Sequence, residues 1–354
     1  MRVWKIGFIG FGNVGQGALR VLFEKAGFLR ERYGFEFKVV GISDPVKGTV
    51  YDEGGLDLKT ILELIERRGE IRGYPGGRRD IDSLWLAKSG NVDIIVEVTP
   101  TNIETGEPGL THIRAALESG KHVVTTNKGP IAVAFPELKR MAEKKGVYLR
   151  FEGTVLSGTP AISLALEAMA GALVYKIEGI VNGTTNFILS KMEEGISYEE
   201  ALKTAQRLGY AETDPTADVD GWDAAVKAVI LANVVMNAEI TIKDVERRGI
   251  RGITLKDVRE ALRRSSRIKL ITEVYRERGK VRASVSPKPL PLNHPLANVM
   301  GATNALTFTT DHLRQVTIIG PGAGRIETGQ AVLSDILAIH RYVTSSARQE
   351  SKSS

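Results

Sequence analysis

Asp223 and Lys227 stand four positions apart, so on a helix both side chains share one face about one turn from each other. An amine and a carboxylate held that way in a cleft can bind an amino acid and move a proton to or from an oxygen. The same spacing also describes an exposed ion pair, which performs no chemistry. The run leading into the pair is Gly209-Tyr210-Ala211-Glu212-Thr213-Asp214-Pro215-Thr216-Ala217-Asp218-Val219-Asp220-Gly221-Trp222-Asp223. It packs five acidic residues into a turn-rich loop. Spacing alone does not choose between the two readings.

A second constellation lies near the start of the chain. Gly10-Phe11-Gly12-Asn13-Val14-Gly15 completes the pattern G-x-G-x-x-G, directly after an apolar strand and at the opening of a helix. Gly10 permits the tight turn, Gly12 lets the backbone approach a pyrophosphate, and Gly15 lets helix pack on strand. The helix then offers free N–H groups and the positive end of its dipole to phosphates. Asp44 follows the second strand and can accept hydrogen bonds from a ribose diol, which favours NAD. It stands 29 positions after Gly15, more than the usual spacing of about 20, which fits an extended first helix. Lys47 or Lys59 would instead neutralise a 2′-phosphate, and Asp44 before Pro45 also suits an ordinary turn. NAD and NADP both stay open.

Other chemistries are excluded by composition. The chain has no cysteine, which removes disulfides, thiolate nucleophiles, Cys-ligated zinc and iron–sulfur clusters. Its five histidines, His112, His122, His294, His312 and His340, show no metal-ligand spacing and read as core or surface residues.

These groups must be positioned by the elements around them. In 354 residues, 42% are hydrophobic and 25% charged, the usage of ordinary globular chains of about two domains. Apolar runs at residues 3–9, 37–42, 92–98, 122–126 and 147–151 alternate with helical patterns at 15–25, 60–68, 111–119 and 136–145. Such alternation predicts a parallel sheet covered on both faces, a Rossmann-type dinucleotide-binding α/β domain over residues 1–150. Residues 72–80, rich in Gly and Arg, read as a surface loop. Residues 151–310 mix helical patterns (161–169, 198–208, 222–237, 255–265) with β-branched runs, the texture of an α+β substrate and oligomerisation domain. A strand–glycine–helix unit then returns, so residues 311–343 are expected to rejoin the first domain. Residues 344–354 are polar and expected to form a frayed tail.

The net charge of +6 is scattered, with no basic run of the kind that tracks a phosphate backbone, so no nucleic-acid partner is expected. No apolar span of membrane length and no secretory signal is visible, so the chain reads as cytoplasmic and free of membranes.

The chain resembles homoserine dehydrogenase, and the match covers nearly its whole length. The resemblance is carried by Ala205-Gln206-Arg207-Leu208-Gly209-Tyr210 with Glu212, Asp214-Pro215, Asp218, Gly221, Asp223 and Lys227. It is carried also by Thr125-Thr126-Asn127-Lys128-Gly129-Pro130-Ile131-Ala132 and by Asn182-Gly183-Thr184-Thr185-Asn186. What it implies is interconversion of L-homoserine and L-aspartate 4-semialdehyde with NAD or NADP, in threonine and methionine biosynthesis. By similarity Glu212 and Asp223 bind homoserine together with Asn182, Gly183 and Thr184, and Lys227 exchanges the proton. Lys128 would lie between nicotinamide and substrate, and a lysine crowded by a second cation releases its proton more easily. The implied cofactor set is Gly10, Phe11, Gly12, Asn13, Val14, Gly15, Asp44, Thr99, Lys128 and Gly322, the last within the returning Gly320-Pro321-Gly322-Ala323-Gly324 loop. A monovalent cation, usually Na+, is implied at Glu152, Val155, Ser157 and Thr159.

Many family members carry a kinase or a C-terminal regulatory domain; none fits here, so feedback inhibition through one is not expected. The runs at 176–181 and 303–309 are expected to form an intersubunit sheet in a homodimer or higher homo-oligomer. A semialdehyde dehydrogenase is excluded by the missing cysteine. Another Rossmann amino-acid dehydrogenase leaves residues 209–227 unexplained, and a redox-sensing NAD(P)-binding module leaves Lys128, Asp223 and Lys227 without a task.

Overall fold

The computed structural model describes residues 2–88 and 90–353, with side chains as far as Ser345. Its contacts divide the chain into two units, residues 1–154 with 324–354, and residues 155–323.

The first unit starts with β1 (Val3–Ile9), α1 (Asn13–Tyr33), β2 (Glu36–Asp44) and β3 (Gly48–Tyr51). It continues through α2 (Leu58–Arg68), α3 (Ser83–Lys88), β4 (Ile94–Glu97), α4 (Gly109–Glu118), β5 (His122–Thr125), α5 (Lys128–Lys145) and β6 (Leu149–Arg150). The strands form one sheet in the order β3-β2-β1-β4-β5-β6, parallel except for the hairpin strand β3. Trp4, Ile6, Phe8, Ile94, Val96 and Val124 are fully buried, as strands covered on both faces must be. The order reverses between β1 and β4, and in open sheets ligands bind beyond the strand ends at that switch point. His122 belongs to this core: its Nδ1 accepts from the Tyr148 N–H at 3.1 Å, and burial pushes the imidazole down to about 4.

The second unit contains α6 (Ala161–Ser163), β7 (Val174–Ile180), α7 (Gly183–Glu193), α8 (Tyr198–Arg207), α9 (Thr216–Val219) and α10 (Trp222–Val235). Then come β8 (Val245–Arg247), α11 (Leu255–Arg263), β9 (Ser266–Glu277), β10 (Lys280–Pro291), β11 (Thr303–Thr310) and β12 (Gln315–Pro321). Its sheet runs β12-β11-β7-β9-β10-β8. Helix α10 is buried on nearly every side, from Ala224 to Val234, so a charged residue on it is a costly exception. Helix α12 (Arg325–Ser353) returns to the first unit and packs on α1.

Four expectations are corrected. Strand β12 pairs antiparallel with β11, so the chain rejoins the first unit at Gly324, not at 311. The expected frayed tail at 344–354 is helical to Ser353; Ser354 lies outside the described residues. The runs at 176–181 and 303–309 pair with each other as β7 and β11, flanked by β9 and β12, so neither run is itself an edge strand; the edges of this sheet are β12 and β8. The expected helix at 161–169 is one short turn followed by a π-type turn, closed by Met169 N–H to the Leu164 carbonyl at 2.9 Å. Among the described residues no helix is long and apolar enough to cross a membrane.

Candidate active site

Asn182 precedes α7 in an extended conformation, and its Oδ1 caps the helix by accepting from Thr185 N–H at 2.9 Å. That cap turns the amide nitrogen outward. Asn182 Nδ2 donates to Asp218 Oδ1 at 2.6 Å and to Asp223 Oδ2 at 3.0 Å. Gly221, at φ 80, makes the bend that starts α10 and puts Asp223 in its first turn. One turn on, Lys227 Nζ meets Asp223 Oδ2 at 2.8 Å and donates to the Val181 carbonyl at 2.6 Å. The two side chains are 13% and 8% exposed, so this is no surface ion pair; water is largely excluded and the charges depend on each other.

The acidic loop is tied to this cluster. Thr184 Oγ1 donates to the Tyr210 carbonyl at 2.5 Å, and Gln206 Nε2 holds the carbonyls of Glu212 and Thr213 at 3.1 and 3.2 Å. The structure thus brings together Asn182, Gly183, Thr184, Asp223 and Lys227 with Asp218, while the Glu212 side chain is exposed on the loop beside them. Asp220 faces Arg251 instead, and Asp214 closes its own turn on Thr216 N–H.

In the first unit the glycine loop joins β1 to α1. Gly10 has φ 87, and a β-carbon there would lie 2.7 Å from the Val98 carbonyl; at Gly12 a β-carbon would meet nothing within 4 Å. The Gly12 end of α1 carries no side-chain cap, so the first-turn N–H groups at Asn13 and Val14 keep their anion-binding capacity. These features fit a dinucleotide pyrophosphate. Phe11 departs from expectation. Its ring is fully buried against Phe8, and its N–H donates to Asp44 Oδ2 at 2.7 Å, so that N–H is committed within the protein. Asp44 Oδ1 accepts from Val46 and Lys47 N–H at 2.8 and 2.7 Å. Asp44 therefore clamps the loop as well as standing beside it.

Lys128 opens α5, where Asn127 caps the helix through Gly129 N–H at 3.2 Å. Asn127 Nδ2 reaches the Thr99 carbonyl at 3.2 Å. Beneath them lies Glu97, fully buried, which accepts from Thr99 N–H and from Thr125 Oγ1, both at 3.0 Å. Glu97 is a residue that sequence reasoning missed. Its signal was available: an acid at the far end of the apolar run Ile94-Ile95-Val96, within the strand expected at 92–98.

Of the remaining expected residues, Glu152 belongs to the first unit and Val155, Ser157 and Thr159 to the second. Gly322 lies in the second unit too, with its backbone against the Asn304 carboxamide.

Comparison with known proteins decides the family. Residues 160–337 match the family model described as homoserine dehydrogenase, and residues 10–152 the model of the homoserine dehydrogenase NAD binding domain. The chain belongs to the homoserine dehydrogenase family. The NAD(+)-dependent homoserine dehydrogenase of Pseudomonas canavaninivorans is 45% identical over 345 residues, covering 97% of this chain and 98% of its own. The homoserine dehydrogenase of Methanocaldococcus jannaschii is 46% identical, with 94% and 97% covered. A hyperthermophilic archaeal homoserine dehydrogenase mutant, solved in complex with NADPH, matches at a TM-score of 0.83 and 32% identity over 96% of this chain and 98% of its own. This homoserine dehydrogenase is accordingly an NAD(P)-dependent oxidoreductase of amino-acid biosynthesis.

Proposed function

We propose that in this homoserine dehydrogenase the substrate binds at the cluster of Asn182, Gly183, Thr184, Glu212, Asp223 and Lys227. The observation that carries this reading is the buried Asp223–Lys227 pair, since desolvated charges on an apolar helix are expensive and a proton-transfer pair accounts for them. The glycine loop and Thr99 would hold NAD(P), which would supply or accept the hydride exchanged at C4 of the substrate. As homoserine is oxidised, its hydroxyl proton passes to Lys227, and in reduction Lys227 returns it to the aldehyde oxygen. Asp223 and the Val181 carbonyl keep Nζ in place through both states. Lys128, at the start of α5 and set by the Glu97–Thr99–Asn127 network, is read as the lysine of the cofactor side.

Glu212 and Asp223 hold the substrate ammonium, a cation that wants charge-assisted acceptors. Glu212→Gln keeps a hydrogen-bonding group and loses the charge, and the expected loss is about 1.5–3 kcal/mol, mostly in KM for homoserine. Steady-state kinetics check this, and a wild-type KM would remove Glu212 from the site.

NAD is the better hydride acceptor on this reading, because the Asp44 carboxylate would repel a 2′-phosphate. Asp44→Ser should weaken both cofactors, since it also releases Phe11 N–H, yet shift preference toward NADP by roughly tenfold. The measurement is the ratio of kcat/KM for the two cofactors with L-homoserine, and an unmoved ratio counts against Asp44 at the ribose.

A monovalent cation such as Na+ is placed at Glu152, Val155, Ser157 and Thr159. The donors are oxygens, as a hard cation requires. Ser157 bends the segment at φ 53, and the Thr159 carbonyl already accepts from Ala161 N–H at 2.8 Å, which leaves one lone pair. The assembly is read as a homodimer, supported by Tyr175 and Ile319, which are 45% and 55% exposed on the second sheet.

A further inference from the structure

Asn304, near the start of β11, is fully buried, and neither Nδ2 nor Oδ1 of its side chain has a hydrogen-bond partner. A buried carboxamide in that condition costs the protein stability, and an isosteric leucine would avoid the cost. Its surroundings point to a reason for keeping it. Oδ1 lies 3.4 Å from where a β-carbon on Gly183, the first residue of α7, would stand. On its other side is Gly322, where a β-carbon would fall 2.1 Å from both Cγ and Nδ2 of the amide. Only a glycine can lie on the amide there, and Gly322 and Ala323, just past the end of β12, are irregular and half to fully exposed. The amide is therefore roofed by a thin piece of chain and floored by the N-terminal turn of α7.

We propose that Asn304 is a substrate-binding residue whose Nδ2 donates to the α-carboxylate of homoserine once the turn at 322–323 shifts off it. The proposal rests on homoserine lying at the Asn182–Thr184 loop and deepens that reading. Three groups of the substrate need partners. Glu212 and Asp223 take the ammonium and Lys227 takes the oxygen on C4, which leaves the carboxylate. A carboxylate needs donors. The N–H groups of Gly183 and Thr184 have no intrahelical acceptor by helix geometry, and they carry the positive end of the dipole. Asn304 adds the side-chain donor beside them.

The test compares wild type with Asn304→Leu, using two competitive inhibitors that each lack one group. 4-Hydroxybutanoate keeps the carboxylate without the ammonium; 3-aminopropan-1-ol keeps the ammonium without the carboxylate. We expect KM for homoserine and Ki for 4-hydroxybutanoate to rise roughly tenfold or more, the range of a hydrogen bond to a charged group. The Ki for 3-aminopropan-1-ol and kcat should stay within about twofold to threefold, and the thermal midpoint should hold or rise. Unchanged KM and Ki values would overturn the proposal, and so would equal weakening of both inhibitors, which marks a general disturbance. Asn304→Asp, which sets like charge against the carboxylate, must show the same selectivity and guards against a leucine variant that fails to fold. Glu212→Gln should give the opposite inhibitor pattern, so failure of the ammonium reading and failure of this one are read separately.

Discussion

Lys227→Met should lose roughly 10²–10⁴-fold in kcat for aldehyde reduction while cofactor affinity hardly moves. The task assigned to Lys227 exists only while the substrate oxygen changes charge, so its loss falls on turnover more than on binding. The glycine loop belongs to the other unit, which makes NAD(P) affinity an internal control for correct folding. The variant also leaves the Asp223 carboxylate without its cation, although Asn182 Nδ2 still donates to it at 3.0 Å, so some stability is lost. Rates are therefore to be normalised to cofactor-binding sites. A folded variant that retains more than about a tenth of wild-type kcat would refute proton transfer by Lys227.

Asp223→Ala should be among the most destabilising single changes at the site. Its carboxylate is 13% exposed and is shared by Lys227 Nζ at 2.8 Å and Asn182 Nδ2 at 3.0 Å. Removing one partner of a buried pair leaves an uncompensated charge and costs about 3–5 kcal/mol. Urea unfolding at neutral pH measures it. The double variant Asp223→Ala with Lys227→Met should be more stable than the sum of the single losses predicts, because the second change removes the charge that the first one stranded. Losses below about 1 kcal/mol with additive behaviour would mean that the pair acts as a surface bridge.

Local signals account for most of what the sequence made legible. The strand predicted at 3–9 is β1 residue for residue, because a largely apolar run of that length bounded by glycine suits a buried strand and is too short for a helix. Helices α2, α8, α10 and α11 start where predicted to within two residues, each marked by its apolar period. The π-type turn at Leu164–Ala168 was not legible, since over so few residues one wide turn leaves the same apolar pattern as an α-turn. Strand β12 was placed with the wrong unit because strand–glycine–helix looks the same whichever sheet the strand joins.

The division follows from range. Sequence alone determined the dinucleotide loop, the acidic loop, the four-residue spacing of Asp223 and Lys227, and the absence of thiol chemistry, because each is a matter of residue type and local spacing. Tertiary structure decided what those residues face. It buried the Asp223–Lys227 pair, gave Asn182 the two carboxylates it joins, committed Phe11 N–H to Asp44, set Glu97 under Thr99 and Thr125, and left Asn304 unsatisfied between Gly183 and Gly322. Phe11 and Asp44 are 33 positions apart and Asn182 and Asp223 are 41 apart, and no local spacing rule reaches that far. Burial and partners set the electrostatic value of a charge, and both come from chain segments that meet only in the fold.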